Sequence, residues 1–387
     1  MIPGFSSTGS KRPDALYGPE WDPDLPVRMI RSSGCRVWDE EGREYVDFIM
    51  GLGAVALGYG HPTVNQAAIE AIAAGVVGPF APMHEERLAT DLAHAIPWLE
   101  SVRFLKTGAE AVAAAVRIAR AHTGREVVLG CGYHGWLDWC QASDSAVPAG
   151  TRASFGTLRY DDPEDVRRQC RSAGDRIAAI VVEPVIEREP SQEWLDTLRS
   201  ETERAGIVLI FDEIKTGFRL AIGGAGERYG VRPDLAVFGK ALANGFPLAL
   251  VGGRSDFMSS LARTWISSTL ATELVALAAA RATLEVMVTQ RVPEALHRSG
   301  QSLLAGLNAL AERHPALITA VRGVPVMCHL EFRDEQISAA VAREAARRKL
   351  IFKRTGYNFV SLSHGPGDIT WSLTVLAEVL EGLRSSG

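Results

Sequence analysis

The stretch FDEIKTGFR, residues 211–219, follows the apolar run GIVLI at 206–210. A buried strand ending on two adjacent carboxylates cannot place both in one core, because successive side chains of extended chain point to opposite sides. Asp212 and Ile214 therefore share one side, and Glu213 faces the other. Asp212 and the branched Ile214 can meet one flat ligand together, which leaves Glu213 to a structural partner. Downstream, LAVFGKALANGFP (235–247) ends a second apolar run on Lys240. An acid and an amine thus stand where two buried strands finish, and that arrangement asks for something between them.

Working outward, the same rhythm repeats. VRFLK, EVVLG, RIAAIVVEP, IVLIFDE, LAVFGK and PLALVGG read as short buried strands. EAVAAAVRIARAH, PEDVRRQCRSAG and SQEWLDTLRSETERAG read as helices, with apolar residues three and four apart. Strands without alternation, separated by helices, imply an α/β fold with a mainly parallel sheet covered on both faces. Upstream, CRVW and EYVDF read as a hairpin, and PTVNQAAIEAIAAG as a helix closed by Gly75. From about residue 272 the chain turns helical and then mixes strand and helix. The expected organisation is an N-terminal segment 1–45 contributing to a small domain, a large ligand-binding domain 46–275, and a C-terminal small α+β domain 276–387.

The composition bounds the function. The 387 residues carry a formal charge of −5, with 47% hydrophobic and 22% charged residues and no basic block. Nucleic acid and acidic membrane surfaces are therefore not expected partners. The N-terminal residues lack the continuous apolar segment of a secretory signal. Five scattered cysteines form neither a disulfide framework nor a metal motif, and a cytoplasmic location is expected.

In open parallel sheets, ligands collect beyond the carboxyl ends of the strands. VRFLKTGAEAV passes from strand through Thr107, Gly108 and Ala109 into a helix. Its first amides suit a phosphate, or it is an ordinary strand–helix turn. Tyr133 and His134 follow EVVLG; an aromatic beside a glycine-flanked turn either stacks on a flat ring or packs the loop. An acid at 212 aimed at a ring nitrogen would keep that nitrogen protonated. An amine at 240 between apolar flanks would lose its proton readily and attack a carbonyl carbon, although a solvated lysine after a strand is the blander reading. Arg354 is a candidate for holding a substrate carboxylate. Trp21, Leu52, Trp136, Trp139 and Trp265 are candidates for the entrance. Taken together, phosphate turn, aromatic, buried acid and strand-end lysine are the contacts that pyridoxal 5′-phosphate needs.

On VVEPV, FDEIKTGFR, YGVRPDLAVFGKALANGFPLALVGGR and ATLEVM, in that order and spacing, the chain resembles the class III aminotransferases of the fold type I pyridoxal-phosphate family. It looks closest to their glutamate-1-semialdehyde aminomutase-like branch. The resemblance implies a seven-stranded, mainly parallel sheet in the large domain and a smaller domain built from both termini. It implies that Lys240 forms the imine with the cofactor and shuttles a proton. Asp212 would pair with the pyridine nitrogen, Ile214 would pack one ring face, and Tyr133 the other. Gly108 and Ala109 would give amides to the phosphate, and Glu183 would lie near the cofactor's hydroxyl. Thr269 would reach the phosphate of a neighbouring subunit, so the resemblance implies a homodimer with active sites at the subunit interface. Small-molecule amino donors and carbonyl acceptors are the implied substrates.

The chain also departs from its relatives. Ala109 stands where they often carry a hydroxyl, and Ala271 to Leu274 replace their usual stretch after the threonine. WLDWCQASDSAVPAGTRASFG (136–156) is shorter than the aminomutase's glycine-rich loop. No arginine matches the aminomutase's N-terminal carboxylate ligand, and Gly356 stands about where that enzyme has a functional glutamate. These departures favour intermolecular transamination over an isomerase, whether aminomutase or racemase. A non-catalytic binder would not need Lys240, and a nicotinamide dehydrogenase would need a glycine fingerprint that is missing.

Overall fold

The structure, a computed structural model, describes residues 2–141 and 146–385. The chain forms two compact units, one of residues up to His61 and from Glu294 onward, the other Pro62–Pro293. Both boundaries lie downstream of the expected 45 and 275. Residues 46–61 stay with the first unit because they pair with the C-terminal part: Phe359 N–H donates to Phe48 O at 2.7 Å, and Leu362 N–H to Ala56 O at 2.8 Å. The helix Leu274–Thr289 stays with the second because it packs on the helices Pro62–Ala74 and Met83–Ala95.

In the first unit, β1 (Met29–Ser33), β2 (Arg36–Asp39) and β3 (Glu44–Asp47) form an antiparallel meander. The turn at its tip is held by Asp39, whose carboxylate accepts the amides of Glu41 and Arg43 and pairs with the Arg43 guanidinium at 2.7 Å.

The second unit is built on seven strands: β4 (Ser101–Leu105), β5 (Val127–Cys131), β6 (Phe155–Thr157), β7 (Ile177–Val182), β8 (Val208–Asp212), β9 (Leu235–Phe238) and β10 (Ala249–Gly253). Their order is β4-β10-β9-β8-β7-β5-β6, parallel except for β10, which runs antiparallel to both neighbours. Every residue of β7, β8, β9 and β10 is buried, as unalternating apolar runs require when helices cover both faces. Asp234 pins β9 to β8: its carboxylate accepts Leu209 N–H at 2.8 Å and takes both Arg199 terminal nitrogens at 3.1 Å. β6, at three residues, lies in a segment that reads as loop, because so short a strand leaves no periodic trace. Residues 142–145 of that segment lie outside the described residues.

The first unit closes with β11 (Ile318–Val324), β12 (Met327–Phe332), β13 (Leu350–Ile351) and β14 (Asn358–Phe359). β13 adds to β3 in parallel, and β12 pairs with β11 and β14.

Glu213 has the structural partner its side of the strand requires. Fully buried, it accepts the amides of Ala225 and Gly226 at 2.9 Å each and the hydroxyl of Thr216. Burial pushes its carboxyl up to about 7 against those hydrogen bonds. Glu213→Ala leaves two buried amides unpaired and is expected to cost about 2–4 kcal/mol in chemical denaturation. The raised value also sets a sign. Glu213 favours folding most below its unfolded value of 4.5, and that contribution declines as pH rises to about 7.

Candidate active site

Six of the residues expected at the site lie where strands end on one edge of the large sheet. Gly108 follows β4, Tyr133 follows β5, Glu183 follows β7, Asp212 ends β8 and Lys240 follows β9. Ile214 comes two residues after β8. The parallel order of β9, β8, β7 and β5 makes these ends neighbours.

Asp212 is buried and takes His134 Nδ1 at 2.9 Å on one carboxylate oxygen, while the other accepts Ile214 N–H at 3.3 Å. His134 is equally buried, and among the described residues its Nε2 has no hydrogen-bond partner. The acid is thus oriented by a ring nitrogen that sequence reasoning placed near the site without giving it a role. The available signal was the buried acid itself, which needs a donor from a neighbouring strand end.

The helix Gly108–Thr123 begins with a capping box. Thr107 Oγ1 accepts Glu110 N–H at 3.2 Å, and the Glu110 carboxylate accepts Thr107 N–H at 2.9 Å. The Thr107 hydroxyl is therefore committed to the cap. Gly108 and Ala109 carry amides with no carbonyl a turn earlier in the helix to receive them. A Cβ at Gly108 would lie 2.3 Å from Ile214 Cδ1, so glycine lets this turn approach the end of β8 with Ile214 in its present position. Gly135 (φ +98°) brings the Tyr133–Gly135 turn onto the same helix start, where its own Cβ would lie 2.6 Å from that of Ala109. Tyr133 is 66% exposed, and its amide donates to Glu183 Oε2 at 2.9 Å.

Lys240 has φ +45°, a left-handed conformation that costs a residue with a side chain about 1 kcal/mol. It is half-buried, and burial with the like charge of Lys215 brings its ammonium down to about 8, against the opposing pull of Glu183 and Asp212. Arg219, at the end of the opening motif, is 1% exposed, and burial lowers it to about 9.

The remaining candidates fall elsewhere. Thr269 is exposed in a turn closed by Ala271 N–H to Ser268 O at 3.2 Å, and no hydrogen bond joins it to the residues above. Arg354 is engaged within the protein: its guanidinium donates to the carbonyls of Ala15 and Asp14 at 3.2 and 3.0 Å and meets Ser338 and Glu335. Trp139 is buried edge-on to Phe155, whereas Trp136 and Trp265 are exposed. Among the described residues no cluster of His, Cys, Asp and Glu suits a metal ion, and no helix is long and apolar enough to cross a membrane.

Comparison with known proteins agrees with this geometry. The family described as aminotransferase class III matches residues 17–365. A glutamate-1-semialdehyde 2,1-aminomutase from Syntrophobacter fumaroxidans is 36% identical over 323 residues, covering 78% of this chain and 72% of its own. A 3-aminobutyryl-CoA aminotransferase from Cloacimonas acidaminovorans is 27% identical over 398 residues, covering 99% and 95%. Among solved structures, the FumI protein of Sphingopyxis sp. MTA144, in its PLP internal aldimine form, superposes with a TM-score of 0.91 at 25% identity, covering 100% of this chain and 93% of its own. The chain belongs to the class III aminotransferases, pyridoxal-phosphate enzymes of fold type I.

Proposed function

We propose that the protein transfers an amino group from an amine or amino-acid donor to a keto or aldehyde acceptor in two half-reactions, with Lys240 as the imine-forming lysine. One observation carries this reading: an amine of lowered basicity, in left-handed backbone, on the same sheet edge as a buried acid oriented by histidine. The site fits pyridoxal 5′-phosphate. Asp212 offers a fixed negative charge for the ring nitrogen, and the helix start at Gly108 and Ala109 offers amides for the phosphate. Lys240 offers the nucleophile, while Ile214 and Tyr133 offer surfaces for the ring faces.

When bound, the cofactor supplies an aldehyde carbon and a protonated pyridine that withdraws electrons. Lys240 Nζ would be the nucleophile toward that carbon and, once free, the base positioned to take a proton from the donor. Asp212 would hold a proton on the ring nitrogen, and His134, 2.9 Å from its carboxylate, keeps Asp212 aimed. Glu183, through the Tyr133 amide, holds the turn that carries the aromatic ring.

A second reading, isomerisation of a single amino compound, is supported by the names of aminomutase relatives such as the one from Syntrophobacter fumaroxidans. The absent N-terminal arginine, the short segment 136–156 and Gly356 speak for transfer. The purified protein is expected to bleach its visible absorption on adding a donor and to regain it only with a second, carbonyl-bearing compound. Turnover of one substrate without any acceptor would assign the isomerase instead.

We also propose a homodimer in which Thr269 serves the partner subunit's site. Ile69, Ile72, Val76, Val77, Phe80 and Met83 are exposed along one continuous stretch, apolar surface that a second copy would cover. Leu274 N–H donates to Val76 O at 2.9 Å, which ties that stretch to the segment carrying Thr269.

A further inference from the structure

Trp139, a candidate for the entrance, packs instead against His134. Its indole lies nearly parallel to the imidazole, with ring centroids 6.3 Å apart and planes at 22°. Phe155 of β6 meets the same indole edge-on, at 5.7 Å and 84°. Gly130 of β5 leaves the space for this arrangement: a Cβ there would lie 2.5 Å from Phe155 Cζ and 3.3 Å from His134 Cδ2. The turn carrying Trp139 is closed on itself, since Gln141 Nε2 donates to Gly135 O at 2.7 Å. Both rings of the stack are buried, and among the described residues the indole Nε1 has no hydrogen-bond partner. A leucine or phenylalanine would fill a core without burying an unpaired N–H, which is costly. What tryptophan adds at this position is a broad flat face.

We propose that Trp139 is a positioning residue for the Asp212 carboxylate, acting through His134: it fixes the plane of the imidazole whose Nδ1 meets Asp212 at 2.9 Å, and it keeps water from that hydrogen bond. The inference rests on the reading of Asp212 given above. The backbone that carries His134 is held from elsewhere. Glu183 accepts Tyr133 N–H at 2.9 Å and takes Lys215 Nζ on its other oxygen at 2.7 Å. Those contacts set the turn but not the ring. The second side-chain torsion of histidine is broad, and a ring bonded through one nitrogen alone can tilt about that bond. Packing has to supply the remaining constraint, and the parallel indole supplies it. Excluding water also strengthens the bond to Asp212, because hydrogen bonds are stronger where the local dielectric is low.

The first test needs no cofactor. Proton NMR of the apoprotein is expected to show the His134 Nδ1 hydrogen as a downfield signal protected from exchange with water, identified by its loss in His134→Phe. In Trp139→Leu that hydrogen should exchange at least about tenfold faster. Trp139→Phe keeps a flat face and should restore the protection. Phe155→Leu withdraws the edge-on support and should speed exchange in smaller measure, which keeps the inference testable if Trp139→Leu does not fold. In the loaded protein, Trp139→Leu should slow single-turnover bleaching by a donor about tenfold, part of the about 100-fold that a misplacement of about 1 Å can cost, with the donor KM within about twofold. In a His134→Phe background the same substitution should add less than about twofold. Unchanged exchange in a folded Trp139→Leu protein, or in Phe155→Leu where that alone folds, overturns the inference. So does a full tenfold loss in the His134→Phe background. Faster exchange with unchanged bleaching overturns it as well, unless Asp212→Asn is equally unimpaired; that result removes the reading of Asp212 and leaves the tie between Trp139 and His134 standing.

Discussion

Lys240→Ala is expected to abolish amino transfer in a protein that still folds. On the proposed function, the substitution removes both the nucleophile and the group that carries a proton to and from the substrate carbon. Positioned proton transfer alone contributes about 10²–10⁴-fold, and the covalent route is lost with it, so a fall of more than about 10⁴ in kcat is expected. The folded apoprotein should become more stable. An ammonium lowered from 10.5 to about 8 by burial opposes folding wherever it must be protonated in the folded state. That penalty is full below about pH 8 and fades as pH rises to the unfolded value of 10.5. Its upper bound is about 3 kcal/mol, from 1.36 kcal/mol per unit, less the packing lost with the side chain. Alanine keeps the left-handed backbone at 240, so the gain reports the charge and not the strain. Thermal denaturation of both apoproteins between neutral and alkaline pH measures it. A stability difference that does not shrink as pH rises would contradict the burial of this amine.

Asp212→Asn is expected to be the second most damaging change. Asparagine matches the shape and can still accept the His134 Nδ1 hydrogen, so the local structure should hold. It carries no charge, and on the proposed function the ring nitrogen would lose the partner that keeps its proton. Removing such a preorganised charge is expected to lower the rate of donor deprotonation by about 10²–10⁴-fold, with cofactor binding weakened far less. Single-turnover bleaching of the visible band separates the two effects. Rates within about threefold of the parent would show that Asp212 does not serve the ring nitrogen.

The strands were legible because β7, β8, β9 and β10 are buried on both faces and therefore read as unbroken apolar runs. The placement of the candidate site was legible because a parallel sheet gathers its strand ends, and Asp212 and Lys240 break apolar runs there. Pairings between distant segments left less trace. Nothing near 134 in the sequence points to Asp212, and nothing near 215 points to Glu183. Both pairs arise from the strand order β8-β7-β5, which local patterns do not encode. Arg354 misled for a related reason. A guanidinium suited to a carboxylate is equally suited to carbonyls, and those of Asp14 and Ala15 lie more than three hundred residues away in sequence. The unit boundaries moved because residues 46–61 and 274–289 take their allegiance from packing rather than from composition.

The close approach of Gly108 to Ile214 ties two distant sites into one mutational unit. A methyl group added at 108 would lie 2.3 Å from the Ile214 Cδ1 methyl, so that end of the isoleucine would have to shift. Enlargement of the first needs the second to repack or shrink. Libraries aimed at altering this enzyme's selectivity should randomise the two codons jointly, since one-at-a-time scanning would discard compatible combinations as dead singles.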